Sequence, residues 1–296
     1  MSNEDDMALS PDVIKTKLSV NASLSAVTQV SIYSQSLISA VPAFPEPIPD
    51  WIAPAKDHIT KAQENAENWL NNICTDTVKT VPQAIVDFNH SFQENVECLL
   101  DAIDKSDAKR ATTILEALSG EISRQHSHLF LVQKNLLSFY DDLSQQVRYL
   151  DEDISLIDKH IKSGSEMVKE IQVTFSDVFI RSQALDPCNI IVDIDERILI
   201  TTIGMTKGNP AIIPLVLTEI LFKQLLQQGQ DEAIVFSNVL NIWETLQLKY
   251  SSVIRRLKDA EAEKVSSILK TLDIQTAKKG WAELADFASK MGCCTI

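Results

Sequence analysis

The stretch Leu129–Ile161, LFLVQKNLLSFYDDLSQQVRYLDEDISLIDKHI, decides the fold. Leu129, Val132, Leu136, Phe139, Leu143, Val147, Leu150, Ile154, Ile157 and Ile161 recur in steps of three and four. That spacing lines one face of an α-helix. A seam sustained over so many turns predicts a long helix packed lengthwise against other long helices. At about 1.5 Å per residue it extends over several tens of ångströms.

The same rhythm continues on both sides. Upstream run Ile85, Phe88, Phe92, Val96, Leu99 and Ile103, and after Lys105-Ser106-Asp107 the pattern resumes through Ile114, Leu115, Leu118 and Ile122. Downstream, Val235, Val239, Ile242, Leu246, Tyr250, Val253 and Leu257 lead on to Trp281, Leu284 and Ala288. Prolines partition the chain at Pro42–Pro54, Pro82, Pro187, Pro210 and Pro214. A proline inside a helix costs about 3 kcal/mol, so the proline-free tracts Gln83–Asp186 and Leu215 onward are read as very long helices. Pro11–Val41, Ser-rich but carrying Ile14, Leu18, Val27, Val30 and Leu37, is a further helix, with Ser10 as N-cap and Pro11 at its first position. Pro42–Pro54 is a stiff extended connector. Only 7 glycines in 296 residues, with 45% hydrophobic residues, favour helices over a sandwich or barrel. The expected fold class is all-α, an elongated bundle of four or five long helices.

One segment departs from this pattern. Asn189–Ile203, NIIVDIDERILITTI, is rich in β-branched residues around Asp195-Glu196-Arg197 and reads as two short strands with a turn. Gly204, Gly208, Asn209 and Pro210 form a loop, and Ala211–Phe222, AIIPLVLTEILF, reads as a short helix whose only charge is Glu219. The expected organisation is a helical tail, 1–187 and 223–296, with a small β-hairpin and short-helix head at 188–222. The apolar run is shorter than the roughly 20 residues of a transmembrane helix. It reads as a cap with its own small core or as a membrane-seeking head, and the two are compatible, since such a head must be buried before use.

Charge narrows the partners. With 27 Lys+Arg against 41 Asp+Glu the net charge is −14, which repels nucleic acid and anionic lipid alike. Membrane binding would have to come from apolar insertion, a neutral lipid or a receptor. The acidic opening (Glu4, Asp5, Asp6) is unlike a secretory signal. Cys74, Cys98, Cys188, Cys293 and Cys294 match no zinc or redox spacing and are read as reduced thiols, with a Cys74–Cys98 disulfide left open. The terminal Cys293-Cys294-Thr295-Ile296 fits a prenylation box only formally, having no basic run before it.

Nothing in the sequence points to catalysis. His58, His90, His126, His128 and His160 lie on helical stretches without metal-type partners, and the two rings of His126-x-His128 point about 200° apart on a helix. They are read as solvated, as is the acidic run Asp151-Glu152-Asp153. No phosphate loop or nucleophile elbow is present. Trp69, Trp243 and Trp281, like Trp51, are read as helix-packing anchors. No cofactor and no metal are expected.

Three stretches carry a family resemblance. Ala62–Leu70, AQENAENWL, contains an early-helix N-A-x-x-W-L pattern. Val96–Ser123 ends in the run Leu118-Ser119-Gly120-Glu121-Ile122-Ser123. Leu272–Met291, LDIQTAKKGWAELADFASKM, looks like a closing L-x-x-A-x-x-W-x-x-L-x-x-x-A helix. In order and spacing these resemble the haemolysin BL, non-haemolytic enterotoxin and cytolysin A family of α-helical pore-forming toxins. The resemblance implies a head inserted between long helices and conversion from a soluble form to a membrane oligomer, often with partner components. It places Ile198, Leu199, Ile200, Ile203, Ile212, Ile213, Leu215, Val216 and Leu217 as the membrane-contacting head. Many members have a longer, Gly/Ala-rich apolar head, so the short head here implies a subunit that depends on partners. The implied partners are the target-cell lipid membrane, other components of the same toxin and further copies of the chain. The protein is expected to be released from the producing cell. The alternative is a non-toxic helical scaffold or adaptor that binds partner helices through its seam.

Overall fold

The seam that begins at Leu129 lies on the longest helix of the protein. The structure, a computed structural model, describes residues 9–39, 53–162, 168–181, 193–206 and 212–292. Its elements are α1 (Val13–Ser39), α2 (Ala53–Asn68), a π-turn (Trp69–Ile73), α3 (Cys74–Asp104), α4 (Ala108–Lys162), β1 (Val168–Arg181), β2 (Asp193–Thr206), α5 (Ile212–Asp259), α6 (Ala262–Lys270) and α7 (Ile274–Gly292). The 55 residues of α4 extend for about 80 Å. It packs on α5, α3 and α2, while α1 lies on α5 and α2 and α7 closes against α3 and α1.

Leu129, Val132, Leu136, Phe139, Leu143 and Val147 of α4 are all buried. The facing stripe on α5 is Phe236, Val239, Leu240, Trp243, Leu246, Tyr250, Val253 and Leu257. Gln133 donates to Ser237 Oγ (3.0 Å), Gln247 donates to Ser123 Oγ (2.9 Å), and Lys258 pairs with Glu116 (2.6 Å). Rising numbers on one helix meet falling numbers on the other, so the two run antiparallel.

Several boundaries differ from the sequence expectation. The tract from Gln83 to Asp186 is not one helix. The chain reverses at Lys105–Asp107, where Ser106 adopts a positive φ of 53°, and Asp107 N–H returns to Ala102 C=O (2.8 Å). A left-handed residue closing the last turn in this way is the usual helix stop, here without the glycine that normally marks it. Asp107 then caps α4 by accepting Arg110 N–H (3.0 Å). Pro82, expected at a helix boundary, lies inside α3. It removes one backbone donor while the helix continues through it. The α1 cap is Asp12, which accepts Lys15 N–H (2.9 Å), two residues beyond the expected Ser10. Ile14 and Leu18 face solvent. The buried stripe of α1 is instead Thr16, Val20, Ser23, Val27, Val30, Ser34 and Leu37, an unbroken alternation of four and three built largely from small residues.

The π-turn has a local cause. Trp69, Ile73, Thr77, Val81 and Ile85 are buried in repeated steps of four. On a 3.6-residue helix such steps drift around the axis, and a wider turn at Trp69–Ile73 absorbs part of that drift. Trp69 thereby reaches the core, donating from Nε1 to Ser31 Oγ (3.0 Å). Neither Cys74 nor Cys98 is in a disulfide, and both lie on α3. Their separation along one helix, about 36 Å, rules out the disulfide left open by the sequence.

The strands are also displaced. Asp195-Glu196-Arg197 is not a turn but the interior of β2, whose antiparallel partner is Val168–Arg181, with Asp177 opposite Arg197. Of the expected short helix Ala211–Phe222, residues 212–222 are the first part of the 48-residue α5, and Ala211 lies outside the described residues. Pro214 fits there because the first helical N–H groups lack intrahelical partners in any case.

The final helix supplies a clean stability test. Asp273 accepts Thr276 N–H (3.0 Å) at the start of α7, and hydrogen bonds from Thr276 hold its carboxyl below the usual carboxylate value. Asp273→Ala should cost about 1 kcal/mol in urea denaturation at neutral pH. Because the folded value is depressed, that contribution is full above the unfolded carboxylate value and fades as pH falls through the folded one. The gap between wild type and variant should therefore close in acid.

Candidate functional site

Two regions draw side chains together, one at each end of the α4–α5 pair. At the end away from the strands, an aromatic group seats the start of α1. The Leu9 carbonyl accepts from both Tyr250 OH (3.1 Å) and Trp281 Nε1–H (3.0 Å). Phe88 packs on Trp281 at 4.4 Å between centroids and edge-on to Trp243 at 5.9 Å. Burial pushes the Tyr250 hydroxyl far above its ordinary value, so it remains a donor. Gly280 gives α1 room to approach, since a Cβ there would lie 3.2 Å from Ser10 Oγ. Lys17 adds an ion pair to Glu283 at 2.7 Å. Trp69, Trp243 and Trp281 are all buried, Trp69 against Phe139 at 4.9 Å. Trp51 falls outside the described residues.

At the opposite end α4 gives way to β1, and β2 gives way to α5. Of the residues singled out as a membrane-contacting head, Ile198, Leu199, Ile200 and Ile203 lie on β2. Their register partners are Ser176, Phe175, Thr174 and Ile171. Ile212, Ile213, Leu215, Val216 and Leu217 form the first two turns of α5. The two groups thus belong to consecutive elements, and β1 additionally lies against α1. Sequence reasoning missed β1. Its signal was present in VKEIQVTFSDVFIR, which alternates Ile171, Val173 and Phe175 and is rich in β-branched and aromatic residues.

A polar brace sits nearby. His58 Nδ1 of α2 is 2.7 Å from Asp153 Oδ2 of α4, and Tyr149 stacks on the imidazole at 4.7 Å and 10°. Asp153 lies nine residues before the end of α4, about 14 Å from it. Asp153 is buried and His58 half-buried, so neither belongs to the solvated set to which the sequence assigned them. His126 points Nε2 at Glu244 of α5 from 3.5 Å. Among the described residues no three metal-ligating side chains converge. No described helix is long and apolar enough to cross a membrane.

This architecture of long antiparallel helices is a fold that several solved toxin components share. Similar folds are the Bacillus cereus HblL1 toxin component (15% identity, 97% of this chain and 98% of that chain covered, TM-score 0.66) and soluble AhlB of the tripartite α-pore-forming toxin of Aeromonas hydrophila (11%, 93% and 93%, TM-score 0.65). Soluble SmhB of the tripartite toxin of Serratia marcescens is a third (14%, 96% and 98%, TM-score 0.57). No curated protein matches the chain by sequence. The family model of Bacillus haemolytic enterotoxin (HBL) matches residues 25–181, more than half of the chain, and the protein belongs to that family.

The brace yields a local prediction. Asp153→Ala leaves the half-buried His58 without its carboxylate and should cost about 1–3 kcal/mol. Amide hydrogen exchange should quicken across residues 53–68 and stay unchanged in α7.

Proposed function

We propose that this protein is one component of a multi-component pore-forming cytolysin, a soluble chain that converts to a membrane-bound oligomer on a target cell. In this reading the lipid-seeking head comprises β1, β2 and the first turns of α5, roughly 168–222, and the remaining helices form the tail. The boundary at 188 given by sequence would divide the strand pair and is moved accordingly. Ile198, Leu199, Ile200, Ile203, Ile212, Ile213, Leu215, Val216 and Leu217 are the lipid-contacting residues.

The observation that carries this reading is a charge-poor run that starts in β2 and ends in the first turns of α5. From Ile198 to Thr218 the only charge is Lys207, in a chain of net charge −14. An electrostatically indifferent stretch at one end of an acidic rod is suited to enter a membrane where the rod itself is not. Two of the similar structures are components of tripartite toxins by description, which supports dependence on partner proteins. The head's small apolar content points the same way.

Vesicle co-sedimentation and dye leakage, run alone and with candidate partner components, test the proposal. Wild-type protein should sediment with neutral-lipid vesicles and contribute to leakage. Ile213→Glu and Leu217→Glu should each weaken sedimentation about tenfold or more while leaving the helical circular dichroism unchanged, because a charge in hydrocarbon costs about 2.5–3.5 kcal/mol. Wild-type protein that stays in the supernatant with every lipid would instead favour the scaffold reading.

A further inference from the structure

The outward face of the α4–α5 pair carries apolar side chains in the open. On α4, Ser127, Phe130, Leu131, Lys134, Leu137 and Ser138 are all exposed, with Phe130 at 56%, Leu131 at 58% and Leu137 at 48%. On α5, Leu248 is 72% exposed. Apart from two histidines, Lys134 is the sole charged residue between Arg124 and Asp141. Large apolar side chains in series on an exposed face mark a contact surface more often than chance decoration.

The arrangement is self-complementary. The contacts Gln133–Ser237, His126–Glu244 and Ser123–Gln247 fix the register of the two helices. Glu244 is therefore level with His126, about 12 Å along the axis from Lys134, with Phe130 midway between them. Leu248 lies one turn beyond Glu244, and Leu137 about one turn beyond Lys134 in the opposite direction. The series Leu137, Lys134 on α4 is thus matched about the level of Phe130 by the series Leu248, Glu244 on α5. Lys134 forms no ion pair among the described residues, and the Glu244 side chain is 57% exposed.

We propose that this face pairs with the same face of a second copy around a two-fold axis at Phe130. With that axis at right angles to the helices, α4 lies over the second copy's α4, Phe130 meets its counterpart, and Lys134 comes opposite the second copy's His126, beside which Glu244 lies within its reach, each contact made twice. Charge selects the occupant. Copies of a chain of net charge −14 repel one another over most of their surface. They can meet only on a charge-poor patch whose few charges pair across it, which is what this face offers. The symmetry makes the copies antiparallel, so their strand-bearing ends point in opposite directions. If the head assignment above holds, such a dimer cannot present both heads to one membrane and is a resting form that dissociates before assembly.

Analytical ultracentrifugation without lipid tests the dimer independently of any membrane activity. Wild-type protein should show a concentration-dependent monomer–dimer equilibrium. Phe130→Glu should be monomeric with unchanged circular dichroism. Lys134→Glu and Glu244→Lys should each weaken dimerisation about tenfold or more, and the double variant Lys134→Glu/Glu244→Lys should restore it. The two residues are too far apart in one chain to compensate each other internally, so restoration reports contact between copies. A wild-type protein that is monomeric at every concentration, or a double variant no better than the singles, overturns the proposal. So does a monomer whose Phe130→Glu variant loses vesicle binding, since lipid would then be the occupant.

Discussion

The antiparallel seam between α4 and α5 is the constraint on which the rest of the structure depends. Two helices of 55 and 48 residues can stay in register only if their apolar stripes match over many turns. Leu129, Leu136 and Leu143 on one and Val239, Leu246 and Val253 on the other supply that match. Small polar links then set the phase, Gln133 to Ser237 and Gln247 to Ser123. Because the segment between the two helices is brought back on itself, the strand pair lies at one end of the rod. The charge-poor run Ile198–Thr218 thus begins at that end, far from the other.

The opposite end is closed differently. Leu9, near the start of the described chain, is held by Tyr250 from α5 and Trp281 from α7, so three distant parts of the sequence meet at one carbonyl. Along the rest of α1 the packing is less complete. Thr16, Ser23 and Ser34 bury hydroxyls that have no hydrogen-bond partner among the described residues, while Ile14 and Leu18 face water. Each unsatisfied buried hydroxyl costs about 1–3 kcal/mol. The seat of α1 therefore depends on its pinned start, on close approach along a small-residue stripe and on hydroxyls shared with its neighbours, such as Ser31 with Trp69.

The long seam was legible in the sequence because three-and-four spacing over many turns has only one reading. The turn at Ser106 was not, because it uses a left-handed serine with no glycine or proline to mark it. β1 escaped notice for another reason. Val168, Ile171, Phe175 and Val178 satisfy helical spacing while Ile171, Val173 and Phe175 satisfy strand spacing, and only pairing with β2 decides between them. That misreading placed the strand partner on the wrong side of Asp195-Glu196-Arg197. The His58–Asp153 brace joins residues far apart in the chain, and nothing local in either segment announces it.

The functional account holds that only one end of the rod enters lipid. Environment-sensitive fluorophores attached at single cysteines, on a background with the native cysteines replaced, address this most directly. A probe at Leu199 should shift to the blue when neutral vesicles and partner components are added, while one at Ser289 on α7 should not move. A shift at Ser289 with none at Leu199 would contradict the account and place the membrane contact at the other end of the molecule.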